Sequence, residues 1–302
     1  MSARYLTLSI TPELAGAEVN TLLRRTLGLS GTVLRRIKWL EDGITLDGAR
    51  VNVRVRVREG QTLAARLTPP APASGVVPAE GPLDILYEDW DLIVLNKAPG
   101  VLVHPGHGHF DDTLGNFLMY HYKTAGEEAA FHPVHRLDKG TSGLLVAAKH
   151  PHAQERLKLQ LHTGAFRRVY LAVCDGVPPA PSGVVDAPIG LAEGSPDRRA
   201  VHPGGKPALT HYRVLRVCGP RTLVELELET GRTHQIRVHM AHLGCPLTGD
   251  FLYGRSNPAL IARPALHSAG LELAHPITGE RLSFAAPLPA DLAALISEEN
   301  IP

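Results

Sequence analysis

A proline-rich stretch divides this chain into two unequal parts. Residues 68–82 contain five prolines among fifteen residues, together with alanine, serine and glycine. Because proline lacks a backbone N–H donor and restricts its own φ angle, such a segment favours a semi-extended linker over a helix or a central strand. The 302 residues also exceed what one hydrophobic core normally holds. We therefore predict a small domain over residues 1–67, a linker over 68–82 and a larger domain over 83–302.

The two parts differ in charge. Residues 1–70 hold eleven Arg and Lys against six Asp and Glu, which gives +5. The whole chain has 31 basic and 30 acidic side chains, so the remainder holds twenty against twenty-four, which gives −4. A basic appendage on a weakly acidic body is typical of a module that docks on nucleic acid. A small domain with a solvated basic face would show the same imbalance.

Short periodic segments predict the elements of the small domain. Tyr5–Ile10 alternates weakly as a strand, and residues 17–27 carry apolar side chains at helical spacing. Ser30 is a suitable N-cap for a second helix. Residues 44–46 and 51–57 flank an Asp-Gly turn and predict a hairpin. The candidate RNA-binding residues of this domain are Arg24, Arg25, Arg35, Arg36 and Lys38.

Cysteine usage and hydropathy exclude several classes of protein. The three cysteines lie far apart and form no Cys-x-x-Cys pair. This spacing argues against a disulfide framework or a cysteine-based zinc site, and it favours a reducing cytoplasm. No segment approaches the ~18 uninterrupted apolar residues of a membrane helix. We expect a cytoplasmic protein that needs no membrane, and we take a monomer as the default.

The stretch over residues 135–149 carries the chemistry. It places Asp138 between an arginine and a lysine, then a Gly-Thr-Ser-Gly segment, then an apolar run. The glycines permit a tight loop, and Leu144–Ala148 predicts a short buried strand. Asp138 is thereby held at the edge of a packed sheet, where an ionised carboxylate can act as a nucleophile. A solvated ion pair in a turn is the alternative interpretation.

This stretch resembles the signature of the RluA-type pseudouridine synthases, enzymes that isomerise uridine in RNA, in its residues His135-Arg136-Leu137-Asp138 and Thr141-Ser142-Gly143. Further blocks that resemble the same family are residues 83–106, 205–215, 231–250 and 266–289. The resemblance is looser over residues 12–67, where two short helices and a small sheet are similar to the S4 RNA-binding domain that precedes many such catalytic domains.

The resemblance implies roles for individual residues. Asp138 is similar to the essential aspartate of the family, Arg237 to the arginine that pairs with it, and Tyr170 to the tyrosine that stacks on the target base. Arg136 resembles a residue that enters the space left by the flipped base. The other candidate substrate-binding residues are His135, Thr141, Arg232, His234 and Gln235. Whether Asp138 attacks the sugar, attacks the base or removes a proton stays open.

The resemblance also implies a fold and an activity. The implied fold is α+β, with a mixed, largely antiparallel sheet, flanking helices and a central cleft, preceded by the small α+β domain. The implied activity is isomerisation of specific uridines, with large-subunit (23S) ribosomal RNA favoured over transfer RNA as the substrate. The non-enzymatic alternative is an RNA-binding ribosome assembly factor. Isomerisation needs no redox centre, and the histidine groups lack ligand spacing, so we expect neither a cofactor nor a metal.

Overall fold

A small sheet and a large sheet organise the chain in the computed structural model, which describes residues 3–68, 75–161, 163–195 and 197–297. A four-stranded antiparallel sheet lies within residues 3–68. A ten-stranded sheet lies in the rest of the chain, and all of its strand pairs but one are antiparallel. The predicted α+β class and the predicted largely antiparallel sheet are confirmed.

The small sheet contains β1 (Tyr5–Ser9), β2 (Ile44–Leu46), β3 (Ala49–Arg50) and β4 (Thr62–Arg66). Its order is β1-β4-β2-β3. The helical segments beside it are a 3₁₀ turn over Pro12–Leu14, α1 (Val19–Thr21), which continues as a π-helical turn over Leu22–Thr26, and α2 (Gly31–Ile37). Ser30 caps α2 as predicted, because its hydroxyl accepts a hydrogen bond from the backbone N–H of Val33 at 3.3 Å.

The predicted hairpin at the Asp-Gly turn is confirmed, because β2 pairs antiparallel with β3 across it, but the second strand predicted over residues 51–57 is wrong. The carbonyl of Val55 accepts a hydrogen bond from the N–H of Val19 at 2.9 Å, and the carbonyl of Val53 accepts one from the N–H of Asn20 at 2.8 Å. These donors lie in the first turn of α1, where no earlier carbonyl of the helix is available. The segment therefore completes the start of α1 instead of extending the sheet.

The larger part contains β5 (Ile85–Glu88), β6 (Leu92–Lys97), β7 (His132–Pro133), β8 (Ser142–Ala148), β9 (Arg167–Asp175), β10 (Ser182–Asp186), β11 (Ile189–Leu191), β12 (Arg199–Val201), β13 (Leu209–Cys218), β14 (Arg221–Leu228), β15 (Leu266–Ala274) and β16 (Arg281–Ala285). Its helices are α3 (Leu114–Thr124), α4 (Pro151–Gln160), α5 (Gln235–His242) and α6 (Ala290–Ala294). The large sheet has the order β10-β13-β14-β9-β15-β8-β6-β5, with β16 beside β15 and β7 beside β8. Strands β11 and β12 form a separate pair.

Strand β8 lies inside the large sheet, and each of its seven residues is buried. It pairs antiparallel with β6 and parallel with β15. A strand covered on both faces has no wet side, which explains its continuous apolar sequence. The buried strand predicted over Leu144–Ala148 is confirmed, and it anchors the loop that precedes it.

Gly143 permits the close approach of β15 to β8. Its φ angle is +106°, and a Cβ atom there would lie 2.2 Å from the carbonyl oxygen of Ser268. We expect Gly143→Ala to lower the free energy of unfolding by about 2–4 kcal/mol, because backbone strain and overpacking add. Urea denaturation measures the change. The control is Gly126→Ala, where φ is +71° but the added Cβ meets nothing within 4 Å. Equal losses in the two variants would contradict the steric argument.

The second half of the predicted linker lies against α3. The backbone N–H of Ala79 donates to the carbonyl of Asn116 at 3.1 Å. The Asn116 side-chain amide in turn donates to the carbonyl of Val77 at 2.7 Å. Residues 69–74 of the linker lie outside the described residues. Residues 75–82 therefore make specific contacts with the larger part of the chain.

Two ion pairs also join residues 3–68 to the larger part. Arg4 Nε lies 2.9 Å from a carboxylate oxygen of Asp91, whose side chain is almost fully buried. Arg66 is buried as well and pairs with Glu128. Charges that are withdrawn from water in this way are screened by salt much less than surface pairs. They hold the small sheet in one position against the large one.

Candidate active site

The predicted site residues surround one cavity of about 290 Å³. All nine predicted catalytic and substrate-binding residues line it: His135, Arg136, Asp138, Thr141, Tyr170, Arg232, His234, Gln235 and Arg237. They come from the loop before β8, from β9, and from the loop and first turn of α5. Because β8, β15 and β9 are neighbours in the sheet, residues about one hundred positions apart in sequence meet at this cavity.

Backbone hydrogen bonds hold the turn that carries Asp138. The carbonyl of Asp138 accepts from the N–H of Thr141 at 3.1 Å, and the carbonyl of Lys139 accepts from the N–H of Gly100 at 2.8 Å. The carbonyl of Gly140 accepts from Arg263 Nη1 at 3.1 Å. With three successive carbonyls engaged, the turn has little freedom, so Asp138 keeps a defined direction towards the cavity.

A buried lysine reinforces the same turn. The ammonium group of Lys97 donates to the carbonyls of Ala98 and Val101 at 2.8 and 2.9 Å, and to that of Lys139 at 3.3 Å. Burial lowers the pKa of Lys97 to about 7. Lys97 was not among the predicted site residues, because its importance depends on carbonyls that only the folded chain brings together.

Arg237 is bound more tightly to another carboxylate than to Asp138. Its Nε and Nη2 each lie 2.7 Å from an oxygen of Asp250, which is fully buried. Its Nη1 lies 3.8 Å from an oxygen of Asp138. The resemblance predicted a pair between Arg237 and Asp138, and the structure shows a triad in which Asp250 orients the guanidinium. Asp250 ends the family-like block over residues 231–250, but nothing in the sequence around it indicates that it binds Arg237.

His234 is the third group near the carboxylate of Asp138. Its Nε2 lies 3.9 Å from Asp138, and its Nδ1 lies 2.8 Å from the hydroxyl of Tyr253. Burial lowers the pKa of His234 below its ordinary value. The residue has a φ angle of +58°, in the left-handed region. Such strain in a residue other than glycine costs about 1–3 kcal/mol and is concentrated at functional sites.

Tyr170 and Arg168 lie on one face of β9. They are two residues apart, both are buried, and both line the cavity. Burial raises the pKa of the Tyr170 phenol, so this group stays neutral at neutral pH. Arg168 Nη2 donates to the carbonyl of Leu228 at 3.3 Å, whereas its buried Nε has no partner among the described residues. Sequence reasoning missed Arg168, although the period of two in a strand places it beside Tyr170.

Gln235 and His135, both predicted to bind substrate, are hydrogen-bonded to the protein itself. The Gln235 amide accepts from the N–H of Arg232 at 2.9 Å and donates to the carbonyl of Leu209 at 3.0 Å. The ring of His135 accepts from the N–H of Val146 at 3.3 Å, and burial lowers the pKa of His135 to about 3. These contacts shape the cavity wall. They occupy the amide of Gln235, whereas the buried Nδ1 of His135 has no partner among the described residues.

A second cavity, of about 320 Å³, adjoins the first. Asp138, Thr141, His234 and Arg237 line both cavities. Asp138 therefore lies at the boundary between the two cavities.

A separate cluster of possible metal ligands lies outside these cavities. Oxygen and nitrogen atoms of Asp89, Asp91 and His275 come within 4.8 Å of one another. However, His275 Nε2 lies 2.8 Å from Asp89, and Asp91 binds Arg4 and His150 at 2.9 Å each. Because these atoms already have cationic or hydrogen-bonding partners, we describe the cluster as an ion-pair network.

The five predicted RNA-binding cations of the small domain, Arg24, Arg25, Arg35, Arg36 and Lys38, are all exposed. Trp39 follows them and is 73% exposed, with the Lys38 ammonium 4.8 Å from the centre of its ring. Within the described ranges, no helix has the length and apolar character that crossing a bilayer requires.

The sequence is similar to known proteins over most of its length. The family described as RNA pseudouridylate synthase matches residues 91–242. An uncharacterised RNA pseudouridine synthase of Bacillus subtilis is 42% identical over 274 residues, which cover 91% of this chain and 96% of that protein. The ribosomal large subunit pseudouridine synthase D of Pseudomonas aeruginosa is 41% identical over 273 residues, which cover 86% of this chain and 85% of that one.

A solved structure is similar as well. The human RNA pseudouridylate synthase domain containing 4 superposes with a TM-score of 0.56 at 28% sequence identity. The match covers 70% of this chain and 90% of that one. The similarity therefore extends from sequence to fold over 70% of this chain.

Proposed function

Because this chain belongs to the RNA pseudouridylate synthase family, we propose that its isomerase activity is centred on Asp138 and directed at large-subunit ribosomal RNA. One observation carries the assignment of the centre. The Asp138 carboxylate lies 3.8 Å from the Arg237 guanidinium in a cavity that Tyr170 also lines. The carboxylate can act on the substrate, the cation can stabilise its negative charge, and the aromatic ring can stack on the base.

The reaction exchanges one bond of uridine for another. The bond between N1 and C1′ breaks, a bond between C5 and C1′ forms, C5 loses a proton and N1 gains one. No electrons enter or leave, so the chain's own residues suffice as catalysts. We assign to Asp138 the attack on, or deprotonation of, the substrate next to the breaking bond, with Arg237 stabilising its negative charge. Asp250 positions Arg237.

The target uridine has to leave its base stack to reach this centre. Tyr170 and Asp138 line a recessed cavity, and a stacked base cannot reach the bottom of a cavity. We assign the first cavity to the flipped uracil, at the base of a central cleft, with Tyr170 stacking on it. The neutral phenol supports stacking, worth about 1–3 kcal/mol per base, rather than action as a phenolate base. Arg136 is exposed at this site and fills the gap that the uridine leaves.

The proposal that ribosomal RNA is the substrate rests on the descriptions of similar proteins. The proteins of Pseudomonas aeruginosa and Nitrosomonas europaea are both described as ribosomal large subunit pseudouridine synthases, and the latter is 39% identical over 98% of this chain. Pseudouridine mapping of ribosomal and transfer RNA, from cells with and without this gene, tests the choice. Loss of a site in 23S RNA is the expected result. Loss of sites in transfer RNA alone would overturn it.

We assign residues 1–67 to an S4-like RNA-docking domain, joined by the linker over 68–82 to the catalytic domain over 83–302. Five exposed cations on one helical region support this assignment, as does the exposed Trp39 beside them. Cations bind phosphates in a way that depends on salt, whereas an aromatic ring stacks on unpaired bases of any sequence. The domain thus provides affinity for RNA, and the catalytic cavity selects the uridine.

We expect Trp39→Ala to weaken RNA binding roughly tenfold, because a base–aromatic stack is lost. Arg36→Gln should instead change the salt dependence. When the logarithm of the RNA association constant is plotted against the logarithm of the salt concentration, the magnitude of the slope should fall by about 1, since one phosphate contact is removed. Filter binding across a salt series measures both effects. The control is Trp90→Ala, which removes a 51% exposed indole from the larger part of the chain. Equal weakening by Trp39→Ala and Trp90→Ala would contradict the assigned docking face.

A further inference from the structure

The second cavity has a chemical character of its own. Its wall includes Phe251, Leu252 and Pro264, which are apolar, and the cations Lys139 and Arg263. Arg263 already has partners within the protein, because its Nε lies 2.7 Å from Asp291 and its Nη1 donates to the carbonyls of Gly140 and Leu266. Lys139 is exposed, and its Nζ lies 3.3 Å from Nε2 of His109, a contact that leaves the ammonium able to bind a phosphate. An apolar surface with one available cation suits a nucleobase and its phosphate.

Phe251 is unusual within this wall. It is 62% exposed, although it lies beside the catalytic groups. Its ring centre is 5.6 Å from the Arg237 guanidinium, so the ring has a defined position. Phenylalanine is one of the residues on which single-stranded bases stack in RNA-binding proteins. An exposed, positioned ring at the edge of a nucleic-acid site is therefore a candidate stacking platform.

We propose that the second cavity binds the base of a nucleotide next to the target uridine, with Phe251 stacked on that base and Lys139 on its phosphate. The inference rests on the proposed placement of the uracil in the first cavity. With uracil there and C1′ at Asp138, the ribose and its phosphodiester links lie next to Asp138. The second cavity shares Asp138, Thr141, His234 and Arg237 with the first, so it is the adjoining space that a neighbouring nucleotide enters.

Base flipping explains why such a platform is useful. When the uridine leaves the stack, each neighbouring base loses a stacking partner. Phe251 replaces that partner for one neighbour, so the flipped state is stabilised and the geometry around C1′ is held. The identity of the neighbour then affects binding, which gives the enzyme a preference for sequence next to the target uridine.

The experiment pairs protein variants with altered RNA. Short RNAs carry the target uridine with an intact neighbour, an abasic site on its 5′ side, or an abasic site on its 3′ side. On intact RNA, Phe251→Ala should raise KM about tenfold with little change in kcat, as expected for one lost stack. On one of the two abasic RNAs, the base that stacks on Phe251 is missing. With that RNA, Phe251→Ala should leave KM unchanged. Phe251→Trp should retain the wild-type KM, and Trp90→Ala is the matched exposed-aromatic control.

The proposal is supported if Phe251→Ala raises KM on intact RNA but leaves KM unchanged on one of the abasic RNAs. Equal effects of Phe251→Ala on all three RNAs, an effect on kcat alone, or no effect at all would overturn it. Asp138→Asn is measured in parallel to separate the two assignments. If Asp138→Asn is inactive and Phe251→Ala shows no coupling, the nucleotide subsite is wrong and the catalytic centre stands. If Asp138→Asn turns over normally, the proposed centre itself is wrong.

Discussion

Asp138→Asn will lower kcat for uridine isomerisation by roughly 10⁴-fold or more, which is the scale seen when a central catalytic group is removed. The amide has nearly the shape of the carboxylate but neither its charge nor its basicity, so it can neither attack the substrate nor accept a proton. The turn around it should persist, because its hydrogen bonds are made by backbone carbonyls of residues 138–140. Binding of RNA should therefore change little.

Release of the C5 hydrogen, measured as tritium under single-turnover conditions, detects this loss directly. The control is Asp84→Asn, which changes an exposed carboxylate that binds Asn96 beside the edge strand β5. We expect the control to react at the wild-type rate. Turnover of Asp138→Asn within tenfold of wild type would show that a different group performs the chemistry.

We expect Asp250→Ala to lower both the free energy of unfolding and the activity, and this is the second large effect. The substitution leaves the buried guanidinium of Arg237 without its two charged hydrogen bonds at 2.7 Å. It also removes the acceptor of the backbone N–H groups of Leu252 and Tyr253. Breaking a buried ion pair by removing one partner costs about 3–5 kcal/mol, since the remaining charge is uncompensated. The free energy of unfolding should fall by that amount.

Urea denaturation of Asp250→Ala tests the prediction against Glu225→Gln. The latter breaks the pair between Arg213 and Glu225, whose distance is 2.8 Å but whose arginine is well exposed. Such pairs contribute about 0–1 kcal/mol, so this variant should be close to wild type. Similar losses in the two variants would mean that Asp250 is not the buried counter-ion of Arg237.

A double replacement separates the structural role of this pair from its catalytic role. Arg237→Met combined with Asp250→Leu removes both charges and keeps side-chain volume in the interior. Replacing a buried pair by apolar residues is often neutral for stability, so we expect a folded protein. It should still be inactive, because the guanidinium that lies 3.8 Å from Asp138 is then gone. Recovery of stability together with activity would show that Arg237 serves only to hold the fold.

The local sequence determined the elements whose signals lie close together in the chain. The apolar run over Leu144–Ala148 predicted a buried strand, Ser30 predicted a helix cap, and the residues around Asp138 predicted a rigid turn. In each case the physical cause is short-range: burial on both faces of a strand, or one side chain that binds a backbone group three residues away. Family-like motifs also identified nine residues that prove to line one cavity.

Tertiary structure decided the features that depend on partners distant in sequence. The alternation over residues 51–57 is typical of a strand. However, the carbonyls of Val53 and Val55 accept hydrogen bonds from backbone N–H groups at the start of α1. No pattern in the sequence shows that Arg237 takes Asp250 as its main partner, or that Phe251 is left exposed beside Asp138. The reason is that hydrogen-bond and ion-pair partners are chosen by distance in space. That distance is set only when β8, β9 and β15 pair and bring their loops to one side of the sheet.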